Sequence, residues 1–295
     1  MVLNEMDYLL LSKPDLSDNS KRTYKKNYQN LSDLMQSDMI NEETQEDLYN
    51  KISKLENANT QQMYINIAMM IKQFHNNRFD YLKKKRDLIR DNIKQNRNEK
   101  KTEKKNDLPE YKDLEKHIRE MLSDNNYKAY IINYLMTEYS TRNKDLDLII
   151  TDDIKEYRKL KKAKNENILF VNKTGKNYYV RNNYKTSRTY GELIYNFNNK
   201  KFNNAVKEYI KEEKQKGVDT IYLLSKTDGS RMTEDSIAHH IMRYTLNGMS
   251  ESDVNKISVS RIKDMDDYPL LKKISERRPT SIPTLVEEYH LDIKI

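Results

Sequence analysis

Apolar side chains recur at helical spacing in the first part of the chain. Tyrosine, leucine, isoleucine and methionine return every three or four positions in stretches such as 24–35 and 82–93, which is the spacing of one face of an α-helix. The densest apolar stretch, 60–74, predicts the central helix of this region. A polar segment at 17–20 precedes the first stretch as an N-cap does. The pattern therefore predicts an N-terminal helical domain over residues 1–95.

The apolar pattern stops in 96–108, where lysine, asparagine and glutamate dominate. This composition predicts a basic linker between two domains. Two interpretations of the linker stay open: a basic strap across a DNA backbone, or a solvated connector or frayed helix end. A new pattern begins at Pro109 and predicts a second domain over 109–295.

The second domain combines helical and extended patterns. β-forming side chains in 167–173, 178–181 and 192–197 flank a turn at Gly175, and this arrangement predicts a small antiparallel sheet. The stretch 144–149 predicts a short helix, and helical spacing dominates the remainder. The predicted fold class is mainly α: a helical N-terminal domain followed by an α-rich domain with a small antiparallel β-sheet.

Composition excludes several classes of site. The chain has no cysteine, which excludes disulfides, thiolate zinc sites and a cysteine nucleophile. No pair of histidines has ligand spacing, so we expect no metal site and no cofactor. Only five glycines are present, which disfavours a Gly-rich phosphate loop. The net charge of +8 and the pI of about 9.1 favour a polyanionic partner, nucleic acid above all, although a general Lys/Asn bias explains the charge equally well.

The sequence predicts neither a secretion signal nor a membrane span. The N-terminal apolar run is short and follows an acidic start, unlike a signal peptide. No apolar stretch approaches the ~18 residues that a spanning helix requires. We therefore expect an intracellular protein, cytoplasmic or nuclear. A virus or mobile element rich in A and T is one source of the Lys/Asn bias.

Four short boxes of the second domain follow one another in a recognisable order. Arg142 ends a helical pattern in YLMTEYSTRNKDL, with Asp145 three positions later. Lys185 lies in YKTSR, Arg261 ends ISVSR, and Tyr289 ends PTSIPTLVEEY. In type, order and rough spacing these boxes resemble the catalytic domain of the tyrosine recombinase (phage-type integrase) family. The N-terminal helices resemble the same family's core-binding domain, so the resemblance spans nearly the whole chain.

The chain departs from the family pattern at both histidine positions. Ser258 occupies the first of them, and Thr280, nine residues before the tyrosine, occupies the second. Pro279 stands where the family has glycine. Arg277 or Arg278 is a candidate to place a cation near the phosphate in this region.

The resemblance implies a metal-independent reaction on DNA. The Tyr289 hydroxyl would attack a phosphodiester and form a 3′-phosphotyrosyl bond, so that neither ATP nor a metal ion is needed. Arg142 and Arg261 would bind the non-bridging oxygens. Lys185 would protonate the leaving 5′-oxygen, and Asp145 would brace Arg142 in a supporting role. Each residue also has an ordinary structural explanation, such as a helix-capping cation or a packing tyrosine.

The implied partner is double-stranded DNA, bound by a homo-tetramer during recombination. Lys176 and Arg188 are rivals of Lys185 in the hairpin. The basic residues that we expect to contact DNA are Lys83, Lys84, Lys85, Arg86, Lys100, Lys101 and Arg188. Three alternatives stay open: a type IB topoisomerase-like relaxing enzyme, a catalytically inactive DNA-binding protein of the same fold, and a helical scaffold of unrelated function.

Overall fold

The computed structural model describes residues 4–172, 175–262 and 268–290, with all of their side chains except those of 101, 102, 104–106, 234 and 268. The chain divides into two compact units, 1–103 and 104–295, each with its own hydrophobic core. Within the described ranges, no helix combines the length and the apolar character needed to cross a membrane.

The N-terminal unit is helical, as predicted. Its core is built on the dense apolar stretch, where Ile65, Ala68 and Ile71 are fully buried. Ser17 caps the second helix and accepts a hydrogen bond from the Ser20 amide at 3.1 Å. The helices are α1 (Glu5–Leu11), α2 (Asp18–Met35), α3 (Gln45–Ile52), α4 (Ala58–Phe74) and α5 (Asp80–Asp107).

Helix α5 continues through most of the segment predicted as a basic linker. The segment 96–108 lacks an apolar face, yet the helix ends only at Asp107. No glycine or proline interrupts residues 80–107, and lysine, arginine, glutamate and glutamine are good helix formers. The first residue that prevents helix continuation is Pro109. The loss of the apolar pattern at 96 therefore does not mark the end of the helix.

The C-terminal unit contains nine α-helices and five strands among its described residues. The helices are α6 (Tyr111–Ser123), α7 (Tyr127–Glu138), α8 (Ile154–Ala163), α9 (Ser187–Tyr190), α10 (Lys200–Gln215), α11 (Glu234–Met242), α12 (Glu251–Ser260), α13 (Tyr268–Arg277) and α14 (Ile282–Tyr289). The strands are β1 (Leu148–Thr151), β2 (Asn167–Phe170), β3 (Asn177–Arg181), β4 (Leu193–Phe197) and β5 (Ile221–Tyr222). The predicted class, mainly α with a small sheet, is confirmed.

The sheet is mixed, whereas the sequence predicted an antiparallel one. Its strand order is β4-β3-β2-β1-β5. Strand β1 runs parallel to β2, with Ile150 opposite Leu169, and the other pairs are antiparallel. The predicted helix at 144–149 is limited to a 3-10 turn over Asn143–Leu146. Its remainder belongs to β1, all of whose residues are buried, as is usual for strands with parallel neighbours.

Two hydrophobic clusters of this unit position the C-terminal helices. The larger one surrounds α7, where Ile131, Leu135 and Met136 are fully buried. The smaller one joins α12, α13 and α14 through six buried side chains: Val259, Ile262, Leu271, Ile274, Leu285 and Val286. Tyr289 packs at the edge of this smaller cluster. Helix α14 is therefore seated on two neighbouring helices.

Candidate active site

Tyr289 is the last residue of helix α14, and the helix is fastened at both ends. Ser281 caps its start and accepts a hydrogen bond from the Thr284 amide at 3.2 Å. At its end, buried His290 is hydrogen-bonded through Nε2 to the Ile262 carbonyl at 2.7 Å. The Tyr289 side chain is half-buried. These contacts fix the position from which its hydroxyl extends.

The guanidinium of Arg278 holds the Tyr289 hydroxyl. Arg278 Nη2 lies 2.7 Å from Tyr289 Oη, and the guanidinium carbon lies 4.4 Å from the centre of the tyrosine ring. Arg278 is only 2% exposed. It also donates to Glu251 Oε1 at 2.6 Å and to the Ser140 carbonyl at 3.1 Å. Arg278 thus links α13 to α14, to α12 and to the segment that follows α7.

The preceding arginine points elsewhere. Arg277 donates to the Glu138 carbonyl, and its guanidinium lies 4.7 Å from the ring centre of Tyr139. The two arginines of the doublet therefore have different partners. Of the two candidates that the sequence offered, Arg278 is the one that contacts Tyr289.

Arg142 lies beside this arrangement. Burial, followed by the positive charge of Arg278, lowers the pKa of Arg142, while the charges of Asp145, Tyr289 and Glu251 oppose the shift. Arg142 Nη1 and Arg278 Nε are buried and have no hydrogen-bond partner among the described residues. Two close guanidiniums with unused donors form a region that an anion would stabilise.

A buried ion pair holds the backbone of Arg142 in place. Asp145 and Arg181 are both fully buried and form a salt bridge. The same Asp145 oxygen, Oδ2, accepts a hydrogen bond from the Arg142 amide at 2.8 Å. Arg181 also donates to the carbonyl of Arg277. The pair therefore connects the end of β3, the 3-10 turn after Arg142 and the end of α13.

Asn167, at the start of β2, joins the loop after β3 to the 3-10 turn. Its Nδ2 donates to the Asn183 carbonyl at 2.9 Å and to the carbonyls of Lys144 and Asp147, each at 3.3 Å. Its Oδ1 accepts from the amides of Asn182 and Asn183 at 3.0 and 2.9 Å. The side chain is 1% exposed. Such bonding leaves little freedom for the loop relative to the turn.

Lys185 extends from that loop and is exposed. The preceding residue, Tyr184, closes the loop through a 2.7 Å hydrogen bond to the Gly191 carbonyl, and its ring centre lies 5.1 Å from the Arg181 guanidinium carbon. Lys176 precedes β3 at its opposite end, and a five-residue strand spans about 16 Å. The direction of β3 therefore places Lys185, and not Lys176, at the end of the sheet where Arg181 lies.

The described contacts of Arg261 do not include the Tyr289 hydroxyl. Arg261 follows the last turn of α12, whereas Glu251 is the first residue of that helix. Ten helical positions separate them, or about 15 Å along the axis. The Arg261 guanidinium carbon lies 4.3 Å from the ring centre of Tyr111, so this arginine packs against α6.

The two residues at the family's histidine positions are also accounted for. Ser258 is 1% exposed, and its hydroxyl has no hydrogen-bond partner in the part of the chain that the structure describes. Thr280 is half-buried, and its amide donates to the Ser275 carbonyl at 3.2 Å. The described contacts of these two side chains do not include the Tyr289 hydroxyl.

The residues expected to contact DNA differ in their surroundings. Lys83, Lys84, Lys100 and Arg188 are exposed, whereas the side chain of Lys101 lies outside the described residues. The other two candidates, Lys85 and Arg86, are half-buried.

Both half-buried cations have partners within the N-terminal unit. Lys85 Nζ lies 4.8 Å from the ring centre of Tyr49 and 5.3 Å from that of Tyr81. Arg86 forms an ion pair with Asp87 at 2.6 Å. These contacts give Lys85 and Arg86 a structural role, and they leave Lys83 and Lys84 as the more accessible charges of the run.

Comparison with solved structures finds similarity to a recombinase. No family model matches the sequence, and no curated protein matches it. Among solved structures, the chain is similar to a crystal structure of XerA recombinase, with 12% identity, a TM-score of 0.41, and coverage of 98% of this chain and 92% of that chain. No cluster of three or more potential metal ligands occurs within the described ranges.

Proposed function

We propose that this protein cleaves and rejoins DNA, with Tyr289 as the nucleophile. The observation that carries the proposal is the contact between the Tyr289 hydroxyl and the buried Arg278 guanidinium at 2.7 Å, beside a second arginine, Arg142, with an unused buried donor. Phosphoryl transfer requires a nucleophile and cations placed where charge develops on the phosphate. Arg142 and Arg278 supply the cations in this proposal, because Arg278 contacts the tyrosine hydroxyl and Arg142 lies beside them, whereas the described contact of Arg261 is with Tyr111.

The proposed reaction exchanges one phosphoester for another. The tyrosine oxygen bonds to phosphorus while the bond from phosphorus to the 5′-oxygen breaks, and the 3′-phosphate stays attached to the protein. Lys185 gives a proton to the leaving 5′-oxygen. The reverse reaction rejoins the strand, because the phosphoester energy is kept in the intermediate. Exchange between two duplexes requires four tyrosines, and so we propose a homo-tetramer on double-stranded DNA.

A catalytically inactive DNA-binding protein is the second candidate function. The observation that favours it is the salt bridge between Arg278 and Glu251, together with the bond from Arg278 to the Ser140 carbonyl. These contacts are typical of an arginine that holds helices together. In addition, Ser258 and Thr280 occupy the positions where the family has histidines. On this account the protein binds DNA through its basic surface and forms no covalent bond.

Covalent trapping separates the two functions. The protein is incubated with a pool of nicked duplexes of randomised sequence, since a nick lets the cleaved strand leave and traps the intermediate. We expect a denaturation-resistant protein–DNA adduct from the wild type and from Tyr8→Phe, a control whose side chain is 54% exposed in the other unit. Tyr289→Phe should form none. DNA binding without an adduct in the wild type supports the inactive protein instead.

Plasmid relaxation separates a recombinase from a topoisomerase-like enzyme. The assay uses supercoiled plasmid without ATP or magnesium. Relaxation without any sequence requirement supports a relaxing enzyme, whereas strand exchange confined to particular duplexes of the pool supports a site-specific recombinase.

A further inference from the structure

Glu251 lies next to the proposed nucleophile and has no place in the reaction described so far. Its Oε1 atom and the Tyr289 hydroxyl are bound to the same nitrogen, Arg278 Nη2, at 2.6 and 2.7 Å. The two oxygens are therefore no farther apart than the sum of these distances. A single water molecule bridges a separation of this size.

The carboxylate of Glu251 is held in place. Its Oε2 accepts a hydrogen bond from the Asn143 amide at 3.2 Å, and Asn255 Nδ2 lies 3.4 Å from Oε1. Glu251 is also the first residue of α12, where the positive end of the helix dipole stabilises a negative charge. Its side chain is 15% exposed, so water from the site can reach it.

The attacking tyrosine must lose a proton, and few neighbours can accept one. Arginine side chains have donors but no acceptor, and so neither Arg142 nor Arg278 can take the proton. Asp145 is fully buried against Arg181 and the Arg142 amide. Among the described carboxylates of the site, Glu251 is the one that shares a donor with the tyrosine hydroxyl.

We propose that Glu251 is the general base that activates Tyr289, an inference that rests on the function proposed above. As Tyr289 Oη bonds to phosphorus, its proton passes through one water molecule to the Glu251 carboxylate. The 5′-oxygen leaves and takes its proton from Lys185. In the rejoining step, neutral Glu251 returns the proton to the tyrosine. Protonation also removes a negative charge from beside the bound phosphate, which lowers their repulsion.

The negative charge of Glu251 can also oppose cleavage, and experiment distinguishes this effect from general-base catalysis. A Glu251 that only competes with the DNA phosphate for Arg278 would slow cleavage, and its removal would then speed cleavage and tighten DNA binding. A general base makes the reverse prediction: its removal slows cleavage and leaves binding nearly unchanged. Glu251→Gln keeps the shape and an acceptor for Arg278, so it removes chiefly the basicity.

The experiment measures the rate of adduct formation on the randomised nicked duplexes with oxygen or sulfur as the 5′-bridging atom. Sulfur leaves without protonation, and so it bypasses a general acid but not a general base. We expect Glu251→Gln to slow adduct formation by about 10²–10⁴-fold with either bridging atom and with DNA binding retained. Lys185→Ala should be slow with oxygen and restored by sulfur.

A second substitution protects the test against loss of folding. Glu251→Asp keeps a carboxylate, and we expect it to cleave faster than Glu251→Gln while both unfold at similar urea concentrations. The inference is overturned if Glu251→Gln forms adduct at the wild-type rate or faster, if sulfur restores it, or if the aspartate variant is no better than the glutamine variant. A wild-type protein that forms no adduct overturns the proposed function itself, and this result is distinct from the others.

Discussion

The buried pair of Asp145 and Arg181 gives the sharpest prediction about the architecture of the site. Both side chains are fully buried, and Asp145→Asn removes one charge while keeping an acceptor for the Arg142 amide. The other charge then stays buried without compensation, which costs about 3–5 kcal/mol. That is a large part of the ~5–15 kcal/mol by which native proteins are stable. Asp145→Asn should therefore strongly destabilise the C-terminal unit.

The double variant tests the reason for this loss. Asp145→Asn with Arg181→Met has no uncompensated charge, and so it should be more stable than the sum of the single effects predicts, by about 1–3 kcal/mol. The free energy of unfolding is measured in urea by circular dichroism, because the chain has no tryptophan. Glu208→Gln, which removes an exposed ion pair with Lys211, is the control and should change stability little. Additive single effects, or a loss below about 1 kcal/mol for Asp145→Asn, would refute this account of the pair.

Three further predictions concern Lys185, DNA affinity and pH. Lys185→Ala should slow adduct formation by about 10²-fold or more. Lys176→Ala, at the other end of β3, should leave the rate within about twofold of the wild type. Equal effects of the two substitutions in the same assay would contradict the placement of Lys185 at the site. Lys84→Glu should weaken DNA binding and reduce the slope of log K against log salt by about 1. Lys54→Glu, an exposed change of equal charge in the same unit, should change that slope less in the same titration. Burial, followed by neighbouring cations, lowers the pKa of His240. The unfolded chain therefore binds a proton more readily than the folded chain as the pH falls below about 6.5, so the free energy of unfolding should decrease in that range. His240→Gln should make this decrease smaller in urea titrations. An unchanged pH dependence in the variant would exclude His240 as the source of the decrease.

The elements that the sequence predicted well are long apolar stretches. The stretch 60–74 forms α4 and the pattern 127–139 forms α7, because a helix that is apolar on most of its sides is buried at the centre of a core. The first two residues of β1, Leu148 and Ile149, were assigned to a short helix, since a short apolar run has no distinguishing period. Its parallel pairing with β2 is a tertiary contact that local sequence does not encode.

The sequence identified some residues of the candidate site, and there is a physical reason why it did not identify the others. The boxes that resemble the recombinase family identified Arg142 and Tyr289 as candidate site residues. The structure places these two residues near each other. The sequence left Arg277 and Arg278 as alternatives, because the contact of Arg278 with Tyr289 depends on how α13 packs against α14. Glu251 gave no sequence signal beyond its place at a helix start, because its contacts join residues far apart in the chain.

The most direct measurement of the central claim is the identity of the residue that carries the DNA. The trapped adduct is digested with nuclease and trypsin and examined by mass spectrometry. Tryptic cleavage yields the peptide 278–294, whose only tyrosine is Tyr289. We predict that this peptide carries a nucleotide through a phosphotyrosyl bond. A nucleotide on any other peptide, or an unmodified 278–294 peptide from isolated adduct, would contradict the assignment of Tyr289 as the nucleophile.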